Sequence, residues 1–150
     1  MKKSFYVACG MFILAAGFQF GSAQEKASTT RTLKVKLHYA GAATVDAKHQ
    51  IRVFLFDSPD FVQGNAMPIT MQSGDAKDAT VTFADVGKSP VYAAAVLDPS
   101  GSYDGQSGPP PSGSSLGLYT KTPPAPSAIN IDEGKTVEVD LPFDDSTKMP

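Results

Sequence analysis

The sequence predicts an all-β fold, an antiparallel β-sandwich of seven or eight short strands. Three observations support this prediction. Apolar and polar residues alternate in several short segments, which is the period of a strand with one buried face. Clusters of Pro, Gly, Asp and Ser separate these segments. After residue 23, no segment shows a clear helical spacing of its apolar residues.

The first two strands have the clearest patterns. Residues 33–39 alternate strictly between apolar and polar side chains, which predicts a strand with one face in the core. Residues 51–56 carry apolar side chains on both faces near their end, so we expect this strand to lie inside a sheet. Asp57-Ser58-Pro59-Asp60 then ends it.

Three further segments predict strands. Residues 69–72 and 80–86 each place two apolar side chains on one face, and a turn follows at Asp85-Val86-Gly87. Residues 91–97 are almost wholly apolar, which fits a strand buried on both faces or a short helix. The prolines on either side and the length of seven residues favour the strand.

A long loop follows and is the first place to look for a site. Twelve of the 28 residues from Pro99 to Pro126 are Pro or Gly, a composition that cannot build a central strand. Leu116–Thr120 could still pair at a sheet edge. Loops of more than about 12 to 15 residues are uncommon in compact domains and tend to be functional or disordered. After the loop, residues 129–131 predict a short strand and residues 137–143 a last alternating one.

The first 23 residues have the order of a secretory signal peptide. Lys2 and Lys3 precede an apolar run over residues 5–20, and a small-residue cleavage site ends at Ala23. The run is shorter than the roughly 20 residues that a membrane-spanning helix needs. Cys9 stands too early in it to be a lipid attachment site. We therefore expect cleavage near Ala23 and a secreted or periplasmic protein that does not insert into the membrane.

Charge and cysteine content exclude several classes of partner and cofactor. Removal of residues 1–23 leaves 127 of 150 residues and 11 of 13 Lys and Arg, against all 15 Asp and Glu, so the formal charge is −4. This disfavours nucleic acid and anionic lipid, which require a basic face. Cys9 is the one cysteine, so the exported chain has no disulfide and no cysteine-ligated zinc. We predict a disordered lead-in at 24–31, one β-sandwich domain at 32–143 and a tail at 144–150.

Three segments carry a family resemblance: residues 51–60 (IRVFLFDSPD), 81–86 (VTFADV) and 91–98 (VYAAAVLD), the last followed by a Gly/Ser/Asp-rich loop. Together they resemble secreted bacterial prealbumin-like (transthyretin-like) domains, which include carboxypeptidase regulatory-like modules and relatives of unknown function. The resemblance covers residues 32–143 and implies an immunoglobulin-like or prealbumin-like sandwich. One enzymatic branch of that group hydrolyses a urate oxidation product and ends in Tyr-Arg-Gly-Ser. The present chain lacks this motif and ends FDDSTKMP.

The candidate metal ligands lie at the start of the long loop, at alternate positions, and are Asp98, Ser100, Ser102 and Asp104. Oxygen ligands have this spacing in the first half of a calcium loop. The match is partial, because Tyr103 stands where the pattern has Gly and Pro109 where it has Glu. The alternative is that these residues are turn formers that cap their own backbone. We expect at most a weak calcium site and no other cofactor.

Two tyrosines are the candidate ligand-binding residues. Tyr103 and Tyr119 flank much of the loop and could offer flat faces to a sugar ring or a proline-rich peptide. The alternative is that they fold back and pin the loop to the sandwich. The mature chain has no tryptophan, which weakens the sugar hypothesis.

No motif in the sequence amounts to a catalytic signature. Residues 113–117 read Gly-Ser-Ser-Leu-Gly and fit the Gly-x-Ser-x-Gly form with Ser115 as nucleophile, but that elbow needs a preceding strand, a following helix and a larger parallel sheet. His38 and His49 are the two histidines and are expected to be solvated, without zinc-ligand spacing. Asp144 and Asp145 are expected in a solvated tail rather than in a carboxylate pair.

The sequence therefore predicts a structural or binding module of the bacterial cell envelope and not an enzyme. Loop 98–126 would be its contact surface for an unidentified protein or glycan of the envelope. The alternatives are a calcium-stabilised carbohydrate-binding module and a transthyretin-related hydrolase. Edge strands near Ile69 and Leu116 could pair with another chain, so we expect a monomer or a weak dimer.

Overall fold

Seven strands and one short 3₁₀ helix make up the regular structure of residues 29–150, the part of the chain that the computed structural model describes. The predicted signal peptide lies outside the described residues. The strands are β1 (Thr32–Tyr39), β2 (Ile51–Phe56), β3 (Thr70–Gly74), β4 (Asp78–Phe83), β5 (Tyr92–Leu97), β6 (Ser115–Leu118) and β7 (Thr136–Phe143). The 3₁₀ helix is Pro59–Gln63. The all-β prediction is confirmed.

The strands form two sheets. The three-stranded sheet has the order β4-β1-β7 and the four-stranded sheet the order β3-β2-β5-β6. Every pairing is antiparallel except that of β1 with β7, which is parallel. The prediction of a wholly antiparallel fold is wrong at this pair. Thr32 N–H donates to Lys135 O at 3.0 Å, so both strands start from the same end of the sheet. An alternating pattern has no direction and could not predict this.

The core lies between the two sheets and is built from the inward side of each alternating strand. Its fully buried large side chains include Leu33 and Leu37 of β1, Leu55 of β2 and Leu141 of β7. Phe83 of β4, the strand that pairs antiparallel with β1, is also buried in this core. This arrangement is the expected consequence of period-two patterns in both sheets, because each strand buries alternate residues.

Most predicted strands are confirmed with shifts of one to three residues at their ends. The predicted edges near Ile69 and Leu116 are the two outer strands of the four-stranded sheet, β3 and β6. The strand predicted at residues 129–131 is wrong. Ile129 makes an isolated bridge to Val91, and Ile131 N–H donates instead to Ser89 Oγ at 2.8 Å.

The four-stranded sheet is apolar on its outward face as well. There Phe54, Phe56, Ala94 and Val96 are buried, and we call this group the outer cluster. The 3₁₀ helix covers part of it, since the ring of Phe61 stacks on that of Phe56 with centroids 4.1 Å apart. Apolar residues on both faces of β2 and β5 had predicted interior strands, and this is confirmed.

The described end of the predicted lead-in is tied to the domain. Arg31 Nε donates to Ile131 O at 2.9 Å, and its guanidinium pairs with Glu133 at 3.1 Å. Val86 N–H in turn donates to Arg31 O at 2.9 Å. Arg31, the last residue of the predicted disordered lead-in, is therefore bound to the domain.

Candidate functional site

A groove of about 950 Å³ runs along the side of the sandwich where β6 faces the end of β7. We call it the β6 groove. One wall is formed by the second half of the long loop and the other by the C-terminal residues. Its lining residues are His38, Tyr39, Ala40, Val62, Asp78, Leu116, Gly117, Leu118, Thr120, Pro123, Pro124, Pro142, Phe143, Asp144, Ser146 and Thr147. The predicted contact loop thus contributes one wall of a real depression.

The free edge of β6 opens into this groove. β6 pairs on one side with β5, and Tyr119 N–H continues that pairing by donating to Ala93 O at 2.9 Å. Backbone groups alternate in direction along a strand, so the N–H groups of Leu116 and Leu118 point away from β5. Leu116 N–H is bound there by Thr147 O at 2.9 Å. Within residues 29–150, Leu118 N–H has no bonded acceptor.

The C-terminal tail, residues 144–150, forms a short antiparallel addition to the first half of β6. Ser115 bridges Lys148, and Met149 N–H donates to Ser114 O at 2.8 Å. Gly113 N–H donates to Met149 O at 2.9 Å. The tail therefore covers the edge up to Leu116 and leaves the edge at Leu118 open.

Asp145 fixes the point at which the tail leaves β6. Its carboxylate accepts hydrogen bonds from Tyr39 Oη and Ser115 Oγ, each at 2.6 Å, from Ala42 N–H at 2.8 Å and from Lys148 Nζ at 2.9 Å. The hydrogen bonds from the Ser115 and Tyr39 side chains have the largest effects on the pKa of Asp145. Together with the other donors they hold that pKa far below its usual range. The expectation of a solvated tail is wrong for Asp145.

Comparison with known proteins adds no further assignment at this point. No family model, curated protein or solved structure matches the chain.

The predicted metal ligands are only partly brought together. Asp98 Oδ2 accepts from Ser100 Oγ at 2.6 Å and from Ser102 Oγ at 3.0 Å, and the carboxylate also accepts three backbone N–H groups, from Ser100, Ser102 and Tyr103. Burial works to raise the pKa of Asp98, but these bonds outweigh it and lower the pKa to about 2. The arrangement is the one expected of a turn former that caps its own loop.

Asp104 makes a separate turn of its own. Its carboxylate accepts from Ser107 Oγ at 2.6 Å and from the N–H groups of Gln106 and Ser107 at 2.8 Å. The Ser107 side chain and these amides lower its pKa to about 2. In residues 29–150 no three His, Cys, Asp or Glu side chains come together as a metal-binding group. The weak calcium site stays a prediction.

The two candidate tyrosines lie on opposite faces of the four-stranded sheet. Tyr103 packs on the outer cluster, with its ring centroid 6.4 Å from that of Phe54, and its hydroxyl donates to Gly108 O at 3.2 Å. Tyr119 packs instead against the core between the sheets. They do not form one binding surface. For Tyr103 the geometry matches the alternative that it pins the loop, and a ligand role for either residue stays a prediction.

The first half of the long loop is a lid over the outer cluster. Gly105 lies directly against Met71, and a Cβ at that position would overlap the Met71 sulfur. Arg52 Nε donates to Tyr103 O at 3.4 Å from below. The two halves of the loop thus lie in different places: Tyr103 and Gly105 contact the four-stranded sheet, and residues after Ser115 line the groove.

The two histidines contact nearby aspartates. His38 Nδ1 lies 2.9 Å from Asp78 Oδ1, and its Nε2 lies 3.5 Å from Asp140 Oδ1. The hydrogen bond to Asp78 raises the pKa of His38, against a smaller opposing effect of desolvation. His49 Nδ1 lies 2.9 Å from Asp46 Oδ1 in the loop before β2.

Sequence reasoning missed the contacts of Asp145 with Tyr39 and Ser115. Asp145 is 106 residues from Tyr39 and 30 from Ser115 in sequence. No local spacing marks such a contact, and the Asp144-Asp145-x-x-Lys148 pattern is an ordinary one.

A search of residues 29–150 for a helix with the length and hydropathy of a membrane span found none.

Proposed function

We propose that the chain is a secreted, non-catalytic β-sandwich module that binds another cell-envelope protein in the β6 groove. The observation that carries this proposal is the open edge of β6 at Leu118, set in a groove of about 950 Å³. Secretion is supported by the order of charged, apolar and small residues in positions 1–23.

The polar side chains next to the groove support binding rather than catalysis. Ser115 and Lys148 form the one pair near the groove that resembles a nucleophile and a base, with Lys148 Nζ 2.8 Å from Ser115 Oγ. Ser115 is 1% exposed, and its hydroxyl donates to Asp145. Lys148 Nζ donates to the same carboxylate at 2.9 Å. The shared bonds of Ser115 and Lys148 to Asp145 support a role of this pair in holding the tail in place.

The contacts that hold the first half of the long loop on the sheet support a binding role for its second half. Five hydrogen bonds to Asp98 and the packing of Tyr103 hold its first half on the sheet. Its second half then presents Leu118, Thr120 and Pro123 to the groove from a fixed base. A rigid scaffold that presents a loop is the common arrangement in binding modules.

Photo-crosslinking in a bacterial host that exports the full chain tests this proposal. A photoreactive phenylalanine replaces Thr147, an exposed residue that lines the groove, or Thr136, an exposed residue at the opposite end of β7, as the matched control. We expect a discrete protein adduct from position 147 and none from position 136. Equal labelling from both positions, or none from position 147, would contradict the proposal.

A further inference from the structure

We propose that the partner binds as an added β-strand on the open edge of β6, through an extended segment that is apolar at alternate residues and carries a basic side chain. This inference rests on the proposed function and states the binding mode and ligand chemistry of the same groove. Four features of the described residues support it.

The first feature is the unused backbone at Leu118. The backbone of this residue points away from β5, as that of Leu116 does, and its N–H has no bonded acceptor within residues 29–150. An exposed strand edge with unpaired groups is a template for pairing with another chain. Peptide recognition by strand addition uses such an edge.

The second feature is the chain's own tail, which already occupies the same edge as an added strand. Its register pairs Ser115 with Lys148 and binds Leu116 N–H to Thr147 O. The next bond of this register would join Leu118 N–H to the carbonyl of Asp145. Asp145 is held instead at Tyr39 and Ala42, so the addition stops one step short. A partner strand can continue where the tail leaves.

The third feature is that the facing edge of β7 lacks a backbone donor at the groove. Thr32 N–H and Ala40 N–H donate to Lys135 O and Phe143 O, so the backbone groups of odd residues of β7 face β1 and those of even residues face outward. Pro142, the outward residue that lines the groove, has no N–H to offer. Prolines on an edge disfavour strand pairing, so of the two strand edges at the groove β6 is the better acceptor for an added strand.

The fourth feature is the chemistry of the lining. Leu116 and Leu118 are half-buried, and Val62 is 53% exposed, so they offer apolar contacts to alternate side chains of a bound strand. The ionisable lining residues are Asp78 and Asp144, both exposed, His38, which pairs with Asp78, and Tyr39, whose hydroxyl donates to Asp145. This acidic rim complements a Lys or Arg on the partner.

Two labelled hexapeptides test the proposal on the full chain: acetyl-Val-Thr-Val-Lys-Val-Thr-amide and the same peptide with Glu in place of Lys. Fluorescence anisotropy measures their affinity. We expect the Lys peptide to bind about fivefold more tightly than the Glu peptide. Asp144→Asn should reduce this preference, whereas Asp75→Asn, at an exposed carboxylate outside the lining, should leave it unchanged. A Glu peptide that binds as well as the Lys peptide would overturn the charge assignment.

Backbone N-methylation of the Lys peptide tests the binding mode. Methyl groups at alternate positions should weaken binding about tenfold or more, and those at the intervening positions should leave it nearly unchanged, because only alternate N–H groups face β6. Binding that tolerates every methyl group, or no binding at millimolar peptide, would overturn strand addition. An adduct at Thr147 in the crosslinking experiment would then still support the proposed function, so the two failures are distinguishable.

Discussion

Gly117 and Phe143 lie so close together that a side chain on residue 117 would overlap the phenylalanine. A Cβ built on Gly117 would lie 2.6 Å from Phe143 Cβ, 2.7 Å from Phe143 Cγ and 2.9 Å from Leu141 Cδ2. These distances are well below a normal carbon–carbon contact of about 3.5 Å or more. Glycine at this position therefore allows β6 to approach β7, and both residues line the β6 groove.

Gly117→Ala tests this close approach. The added methyl group must displace Phe143 or move β6, so we expect the free energy of unfolding to fall by roughly 1–3 kcal/mol in a denaturant titration. Gly87→Ala is the matched control, because no atom lies within 4 Å of its added Cβ and its φ is not positive. A loss of stability equal in the two variants would show that the contact with Phe143 is not the cause.

Asp145→Ala should destabilise the domain more than its neighbour does. The change removes the acceptor for Tyr39, Ser115, Ala42 and Lys148, so we expect a loss of about 2–3 kcal/mol in the free energy of unfolding. Asp144→Ala serves as the control, with an expected loss below about 1 kcal/mol at an exposed position. Thermal and denaturant unfolding measure both. If the two variants lose the same stability, Asp145 does not anchor the tail.

Local pattern was enough to predict most strands but not the direction in which all of them pair. The period-two segments at residues 33–39 and 137–143 become β1 and β7, because burial of alternate residues determines both the pattern and the strand. Their parallel pairing depends on the path of the chain after the long loop, which has no periodic signal. The short strand predicted at residues 129–131 failed because alternation over three residues also fits a loop that buries Ile129 and Ile131.

Acid stability should depend on Asp98. Its pKa is about 2 in the folded chain and 3.8 ordinarily, so the unfolded chain takes up the proton first as pH falls. The stabilisation is therefore fully present above about pH 4 and is lost as pH falls from there to about 2. We expect Asp98→Asn to reduce this acid-induced loss relative to the wild type. Unfolding titrations from pH 5 to pH 2 with identical slopes for the two proteins would contradict the assignment.

His38 should titrate above its ordinary pKa of 6.5, because its hydrogen bond to Asp78 favours the imidazolium. Histidine ring resonances in an NMR pH titration measure the midpoint. Asp78→Asn should move the midpoint down, and Asp140→Asn should have a smaller effect at its longer distance of 3.5 Å. The stability contributed by this pair is present below pH 6.5 and is lost as pH rises through the folded pKa. A His38 titration midpoint that is the same in Asp78→Asn and in the wild type would contradict the pairing of His38 with Asp78.

Calcium should leave the thermal stability of the domain nearly unchanged. The carboxylate of Asp98 already accepts hydrogen bonds from hydroxyl and amide groups, and the carboxylate of Asp104 accepts hydrogen bonds in a separate turn. A cation would have to displace those donors with few charged ligands in return. We expect equal melting temperatures in millimolar calcium and in chelator. A clear rise with calcium would instead show that loop 98–126 rearranges into an ion site.

The sequence directed attention to part of the lining of the candidate groove, but not to the backbone edge and side-chain contacts that shape it. A loop rich in Pro and Gly singled out residues 98–126, and the second half of that loop does line the groove. The tyrosines were chosen for their chemistry, but whether an aromatic side chain faces solvent or packs on Phe54 depends on tertiary contacts. The open edge at Leu118 depends on where Asp145 pulls the tail away, a contact between residues far apart in sequence.

Residue-resolved amide hydrogen exchange along β6 tests the central claim most directly. The N–H groups of Leu116 and Tyr119 are bound by Thr147 O and Ala93 O, whereas Leu118 N–H has no bonded acceptor within residues 29–150. We predict slow exchange at Leu116 and Tyr119 and fast exchange at Leu118 between them. Uniform protection across all three residues would show that the edge is already covered, and uniform fast exchange would show that β6 does not form a stable edge. Either result would contradict the open edge on which the proposed binding site depends.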